Sequence, residues 1–503
     1  MHTQSRHMKK RKLHLMLLCL CFNFQLTAQQ RDTLCFIQIN DIYEISPLQG
    51  GKAGGIARIA SYIDECKKRY TTYTFVAGDF LSPSVMGTAT VNNERLNGKQ
   101  MVDCMNATGV DYVTFGNHEF DMGEEPLQKR INESKFTWFS GNVFRSDMTP
   151  FVKYASGTHQ PFPTTLEISS PNRQFAVKLF SLTLPSNSPP YTKYIDYDQA
   201  MKSWKAEKPT RKKIIMGLTH LSAAEDLALL KKYPQVSLIM GGHEHENMFL
   251  THGGAHVAKA DANGKTIYKH LIYRNENKKL TVKSELVKMD ENIPYKASVA
   301  RLVSQWEEEV YNSFRQAGLE PSRKVCTVKD VLNGTEASIR YVQNNMGAAV
   351  ASALTLQSSA DMGMINSGSI RIDDHVTGEI TELDVIRIMP FGNKVFEVTM
   401  KGSLLEKIIT TNDQRKGSGG FLQIDKRVAT SNGKTYLNGQ QLESGKLYKV
   451  RTTEFLISGK EQKLEYFNAS NPDIIKVEPI KDTNGEALDL RKAFIEQLKQ
   501  IYN

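Results

Sequence analysis

Shortages narrow what this 503-residue chain can be. Cysteine is scarce: there are six, none in a C-x-x-C pair, so neither a cysteine-ligated zinc module nor a thioredoxin-like dithiol is encoded. Long apolar runs are nearly missing. The one stretch of that kind, residues 13–28, is interrupted by His14, Asn23 and Gln25, and it falls short of the ~20 residues a spanning helix needs. Beyond residue 12 no basic run exceeds the three residues of Arg211-Lys212-Lys213, so no continuous surface for a polyanion is offered and a nucleic-acid partner is set aside. Internal repeats and low-complexity tracts are absent as well. Hydrophobic residues at 40% and charged residues at 23% are ordinary globular values, which exclude wholesale disorder. The length implies two domains rather than one core.

The short apolar stretch has a different reading. Lys9-Lys10-Arg11-Lys12 precedes it and Leu26-Thr27-Ala28 closes it with a small residue, the order of a secretory signal peptide over residues 1–28. Cleavage there removes five basic residues and no acidic one, lowering the formal charge from +10 to +5, and leaves no integral membrane segment. The expected mature protein is therefore exported: periplasmic, or extracellular or held at the cell surface. Cys35, Cys66, Cys104 and Cys326 stay with it, with no disulfide pairing dictated by their spacing.

The first half alternates strands with helices, the pattern of an α/β domain. Apolar or β-branched runs at 33–40, 72–76, 112–115, 136–140, 175–182, 213–219 and 236–240 read as strands, and 55–69, 94–108 and 222–233 as helices. Between 256 and 289 the pattern turns to strands joined at Asn263-Gly264 and Asn275-Glu276-Asn277, which read as hairpins because Asn-Gly is a favoured hairpin turn. Residues 297–318 form an amphipathic helix with Val299, Leu302, Val303, Trp306, Val310 and Phe314 on one face, read as a connector between domains. In the second half, helices are expected at 338–354, 403–411 and 489–501, and strands at 362–366, 394–400 and 447–452.

Polar clusters begin where these strands stop. Asp41 follows the first, Asp79 the second, Gly116-Asn117-His118-Glu119-Phe120-Asp121 the third, His220 the run at 213–219, and Gly241-Gly242-His243-Glu244-His245 the run at 236–240. In an α/β sheet such positions gather at the carboxyl edge. Singly, each cluster is a cap or a turn. Jointly, Asp41, Asp79, Asn117, His220, His243 and His245 supply carboxylates, imidazoles and an amide suited to Zn²⁺, Mn²⁺ or Fe²⁺. They are enough for two ions if one carboxylate bridges. Two ions roughly 3.5–4 Å apart can hold a nucleophilic water and bring its pKa from 15.7 toward ~7.

These motifs, in this order, resemble a calcineurin-like metallophosphoesterase. Asn366-Ser367-Gly368-Ser369-Ile370-Arg371, Pro390-Phe391-Gly392-Asn393 and Gly419-Gly420-Phe421-Leu422-Gln423 are similar to the C-terminal domain of secreted 5′-nucleotidases and UDP-sugar hydrolases. The resemblance implies a four-layer αββα sandwich over 29–293, a linker helix at 294–324 and a smaller α/β substrate-binding domain over 325–503. It implies that Asp79 bridges two divalent ions, that Asn117, His220 and His243 complete one site, and that Asp41 and His245 hold the other. His118 would stabilise charge on the phosphate, oriented by Asp121, while Asn366, Arg371 and Phe421 grip a nucleotide. The expected activity is that of a 5′-nucleotidase releasing phosphate and nucleoside; a 2′,3′-cyclic phosphodiesterase, a UDP-sugar hydrolase and a catalytically decayed nucleotide binder are the alternatives.

Two departures stand out. The family's Asp-x-His at the first motif is Asp41-Ile42-Tyr43 here, and a neutral phenol is a poor ligand, so one tight and one labile metal site are expected. The Gly-Gly-Asp-Gly-Phe-like loop that carries the second base-stacking ring is Ser458-Gly459-Lys460-Glu461-Gln462, followed by Tyr466 and Phe467. That change bears on base specificity.

Overall fold

The central strands of the first half of the chain are buried on both faces. The computed structural model describes residues 32–155, 157–186, 188–210 and 212–502; the expected leader at 1–28 lies outside the described residues. Two compact units divide at Val310 and Tyr311.

The first unit holds β1 (Leu34–Ile39), α1 (Ile56–Lys67), β2 (Thr71–Ala77), α2 (Lys99–Thr108), β3 (Tyr112–Thr114), α3 (Glu124–Glu133) and β4 (Thr137–Trp138). After them come β5 (Thr165–Ser169), β6 (Ala176–Thr183), β7 (Lys213–His220), α4 (Ala223–Lys232), β8 (Val236–Gly241), β9 (Met248–His252), β10 (Ala255–Lys259), β11 (Thr266–Arg274) and β12 (Leu280–Lys288). One six-stranded sheet runs β12-β11-β1-β2-β3-β4 and a second runs β5-β6-β7-β8-β10-β9. Their central strands are parallel, and β1 is buried at all six positions, as expected of a strand covered on both faces.

The sheets share one core. Leu34, Phe36, Phe75 and Ala77 from the first pack with Val177, Leu179, Met216, Leu218, Leu238 and Met240 from the second, each large side chain contributing roughly 1.5–3 kcal/mol on burial. On the outer faces, α1 lies against β2 with α2 and α3 beside it, and α4 covers β8, β9 and β10. Leu229 and Leu230 of α4 join Val236, Ile239 and Val257 in a separate cluster. The layers are α, β, β, α. A Ser222–Glu225 capping box starts α4 two residues after the end of β7.

The polar clusters at the strand ends therefore come from two sheets, not from the edge of one. Asn263-Gly264 also differs from expectation. It joins β10 to β11, which belong to different sheets, so the left-handed Asn263 (φ 59°) makes a crossover rather than a hairpin. The second turn does close a hairpin, with Arg274 opposite Leu280. The four cysteines are buried free thiols. Among the described residues no helix is long and apolar enough to cross a membrane.

The amphipathic helix α5 (Ala297–Gln316) buries Val299, Val303, Trp306, Val310 and Phe314, and Glu307 accepts the Ser46 hydroxyl at 2.6 Å. In the second unit, α6 (Asn345–Ala353), β13 (Met362–Asn366), β14 (Val395–Lys401), α7 (Gly402–Thr410), β15 (Leu422–Ile424), β16 (Leu447–Thr453), β17 (Ile474–Pro479) and α8 (Leu490–Tyr502) form an α/β arrangement around the sheet β15-β13-β16-β14-β17. The helix expected at 338–354 is broken. Asn344 adopts an extended conformation and its side chain caps the Gly347 N–H at 2.8 Å, so the chain restarts as α6.

One polar chain crosses the sandwich core. Gln38 donates to the carbonyls of Gly241 (3.0 Å) and Ala258 (2.8 Å) on the opposite sheet, and its Oε1 accepts from His270 Nε2 at 2.9 Å. His270 Nδ1 in turn lies 2.8 Å from the Ser284 hydroxyl. Burial pushes the His270 imidazole down from 6.5 to about 3. Between those values the unfolded chain holds a proton that the folded chain does not, so this residue lowers stability as pH falls from about 6.5 to 3. His270→Gln is expected to flatten that acid limb by up to about 1.4 kcal/mol per pH unit, read as the difference between wild-type and variant urea midpoints across the window; parallel curves would refute it.

Candidate metal centre and phosphate site

Four of the six proposed ligand residues sit in the left-handed backbone region: Asp41 (φ 50°), Asp79 (φ 53°), His243 (φ 92°) and His245 (φ 60°). Such residues usually cost of order 1–3 kcal/mol each and cluster at functional sites. The glycines beside them leave no room for a side chain. A Cβ on Gly116 would lie 2.1 Å from Asp79 Oδ1, and one on Gly242 would lie 2.4 Å from the Ala77 carbonyl oxygen and 2.8 Å from His220 Nδ1.

The ligand candidates converge. Asp41 and Asp79 are both 0% exposed, and their oxygens lie within 4.8 Å of each other and of a ring nitrogen of His245. His220 Nε2 is 3.1 Å from Asp79 Oδ2 and 3.2 Å from Asn117 Oδ1. Its Nδ1 is 2.8 Å from the Ala77 carbonyl, which only accepts, so Nδ1 carries the proton and Nε2 is aimed at the centre. The His243 ring packs edge-on to His220 with 5.4 Å between centroids, and its backbone N–H donates to Asp41 Oδ2 at 2.9 Å. Asn40 Nδ2 donates to the same oxygen at 2.8 Å.

Tyr43 points inward too. Its hydroxyl lies 2.9 Å from His245 Nε2, 3.2 Å from Asp79 Oδ2 and 3.5 Å from Asp41 Oδ1. The phenol thus stands among the candidate ligand atoms.

The field at this centre favours cations. Burial lowers the affinity of His220 for a proton, but the Asp79 and Asp41 carboxylates outweigh it and push the imidazole up to about 9. Burial opposes ionisation of Asp79, yet His220 and His118 hold its carboxyl well below the usual range. Burial and the His220 charge push His243 down, toward the neutral form that ligates. Buried carboxylate oxygens, imidazole nitrogens and an amide oxygen, gathered where positive charge is drawn in, fit a divalent ion of borderline or hard character.

Beside this centre His118 Nδ1 lies 2.8 Å from Asp121 Oδ2, which also accepts the Ser82 hydroxyl at 3.1 Å. The His118 backbone N–H donates to Asp79 Oδ1 at 2.8 Å, so His118 is tethered to the carboxylate proposed to bridge.

Glu119 has a part that its motif does not suggest. It is fully buried, and its two oxygens accept the backbone N–H groups of Gly116 (2.6 Å), Phe80 (2.8 Å), Asp79 (2.9 Å) and Leu81 (3.1 Å). One carboxylate therefore ties the loop after β2 to the loop after β3. The sequence signal is its place directly after Asn117-His118, but nothing there announces a backbone clip.

In the second unit the structure brings Asn366 and Phe421 together. The Ser367 N–H donates to the Phe421 carbonyl at 2.8 Å, and Asn366 lies opposite Leu422 in the β13–β15 pair. Phe421 is 2% exposed and walls a cavity of about 600 Å³ with Tyr341, Val342 and Asn412. Arg371 lies five residues beyond Asn366, its guanidinium 6.0 Å from the ring centroid of Phe391, and it does not line that cavity. The altered loop brings Glu461 to Asn366, whose Nδ2 donates to it at 3.1 Å; sequence reasoning missed this carboxylate. Phe467 is 0% exposed in the hydrophobic core, and Tyr466 lies under the Lys407 ammonium at 4.2 Å.

Residues 35–247 match the calcineurin-like phosphoesterase family and residues 324–469 match the 5′-nucleotidase C-terminal domain. The chain belongs to the calcineurin-like phosphoesterases that carry this second domain. It is a hydrolase of the metallophosphatase type. A 5′-nucleotidase of Bos taurus is 24% identical over 89% of this chain and 84% of its own length. Protein UshA of Salmonella pullorum is 24% identical over 71% of this chain and 72% of its own. The crystal structure of a 5′-nucleotidase precursor from Thermus thermophilus superposes with a TM-score of 0.68 at 20% identity, covering 93% of this phosphoesterase and 97% of that chain, and shares its fold.

Proposed function

We propose that this phosphoesterase is an exported 5′-nucleotidase whose phosphate site is built from Asp41, Asp79, Asn117, His118, Asp121, His220, His243 and His245. The observation that carries the reading is the His118–Asp121 pair tethered to Asp79 at the edge of a cation-seeking centre. Asn117, His220 and His243 would hold one divalent ion, Asp41 and His245 a second, with Asp79 shared. Bound there, such ions supply Lewis acidity and make water nucleophilic at neutral pH.

The chain's own residues do the rest. Asp121 accepts the Nδ1 proton of His118 and favours the imidazolium, whose Nε2–H donates to a phosphoryl oxygen and offsets the charge gathering on it. Glu119 keeps the Asp79 and Asn117 loops in register. In-line attack by water on phosphorus breaks the bond to the nucleoside oxygen and releases phosphate. In the domain at 325–503, Arg371 supplies cationic donors and Asn366 and Phe421 the nucleoside contacts, while 294–324 serves as the linker.

Phosphate release from AMP by metal-stripped protein resupplied with Zn²⁺, Mn²⁺, Mg²⁺ or Co²⁺ tests the reading; turnover restored by at least one ion is expected. The buried Phe467 and the Glu461–Asn366 pair in the altered loop favour one second reading, hydrolysis of a cyclic or sugar nucleotide. Product nucleotide from a diphosphate sugar, with AMP left intact, would select it. His118→Ala is expected to lower kcat by about 10²–10⁴-fold with fold and metal retained, and near-full turnover would sink the assignment. Because the Tyr43 phenol stands where a stronger ligand is usual, one equivalent of metal should leave on dialysis against chelator well before the other, and Tyr43→His should slow that loss. Two equally resistant equivalents in the wild type would overturn the unequal-site reading.

A further inference from the structure

Lys259, the last residue of β10, is 0% exposed. A buried ammonium persists only where acceptors replace its water. Four do so. Nζ lies 2.5 Å from the Leu221 carbonyl, 2.8 Å from the Gly242 carbonyl and 3.0 Å from Asp226 Oδ2, and it donates to Glu244 Oε2.

Each of these acceptors adjoins the metal centre. Leu221 follows His220, Gly242 precedes His243, and Glu244 separates His243 from His245. Asp226 accepts the hydroxyl of Thr219, the residue before His220, at 2.8 Å. Glu244 Oε1 also accepts the Ala223 N–H at the start of α4. The loop is fitted to this group: a Cβ on Gly241 would lie 3.0 Å from both Lys259 Cε and Asp226 Oδ2.

Stability alone does not account for the arrangement, because well-packed apolar residues of similar volume are often as stable as a buried ionic cluster. What the ammonium uniquely supplies is three directed hydrogen bonds and one ion pair, shared between two ligand-bearing segments. We propose that Lys259 is a positioning residue of the metal centre, fixing the His220 segment against the His243–His245 loop through Leu221, Gly242, Asp226 and Glu244. The inference rests on the metal-centre reading given above. It extends that reading to a residue on the strand beside β8 in the same sheet, one outside the proposed ligand set.

The test uses Co²⁺ on the full chain. Affinity is read by chelator competition, and ligand geometry by the visible d–d absorption. Lys259→Met is expected to keep cooperative melting while losing about 10–100-fold in Co²⁺ affinity, the usual range for groups that hold ligands, with a shifted absorption band. Leu229→Ala, a cavity in the α4 core cluster, should lower the melting temperature and leave the band in place. If Lys259→Met does not fold, Glu244→Gln serves instead and should weaken Co²⁺ in the same direction. Wild-type affinity and spectrum in the variant that folds would overturn the inference alone. A wild-type chain that binds no Co²⁺ would overturn both the inference and the metal reading beneath it.

Discussion

The structure depends on keeping two carboxylates charged inside a protein. Asp41 and Asp79 have no exposed surface, and an isolated buried carboxylate protonates rather than remain ionised. Here the surroundings prevent it. His243 and Asn40 donate to Asp41, His118 donates to Asp79, and the imidazoles of His220 and His245 crowd the same space. Much of the unit can be read as the means of bringing these groups together. Two sheets are stacked so that their strand ends meet, Gln38 links them, and Glu119 ties neighbouring loops.

The candidate ligands were legible in the sequence because their chemistry is local to strand ends. Asp41, Asp79, Asn117, His220 and His245 each follow or end an apolar run, and the fold brings their polar atoms to a common place. What stayed hidden are the long-range supports. Glu119 binds backbone groups 38 to 40 residues away, and Lys259 binds carbonyls whose identity no side-chain motif records. The Asn263-Gly264 turn misled for a related reason. Its local chemistry favours a tight reversal, while the hydrogen-bond partners of β10 and β11 lie in separate sheets, which only the tertiary structure specifies.

The second unit was legible in its elements but less so in its grip. Asn366 and Phe421 meet through the backbone, but Phe421 is almost wholly buried and Glu461 takes up one amide donor of Asn366. A motif records which residues neighbour one another along the chain. It does not record which face of a ring is covered or what a loop side chain has already bonded. Asn344 is the same lesson at the level of helices: an apolar period ran through it, and one capping hydrogen bond divided the helix.

The left-handed backbone at Asp41, Asp79, His243 and His245 sets function against folding. Glycine adopts that conformation freely, so at these four positions the change that most relieves the main chain is also the one that deletes the side chain. Selection for expression or heat resistance alone would drift there toward sturdier proteins that lack the proposed ligands. Under the proposed function, selection for turnover is what opposes that drift.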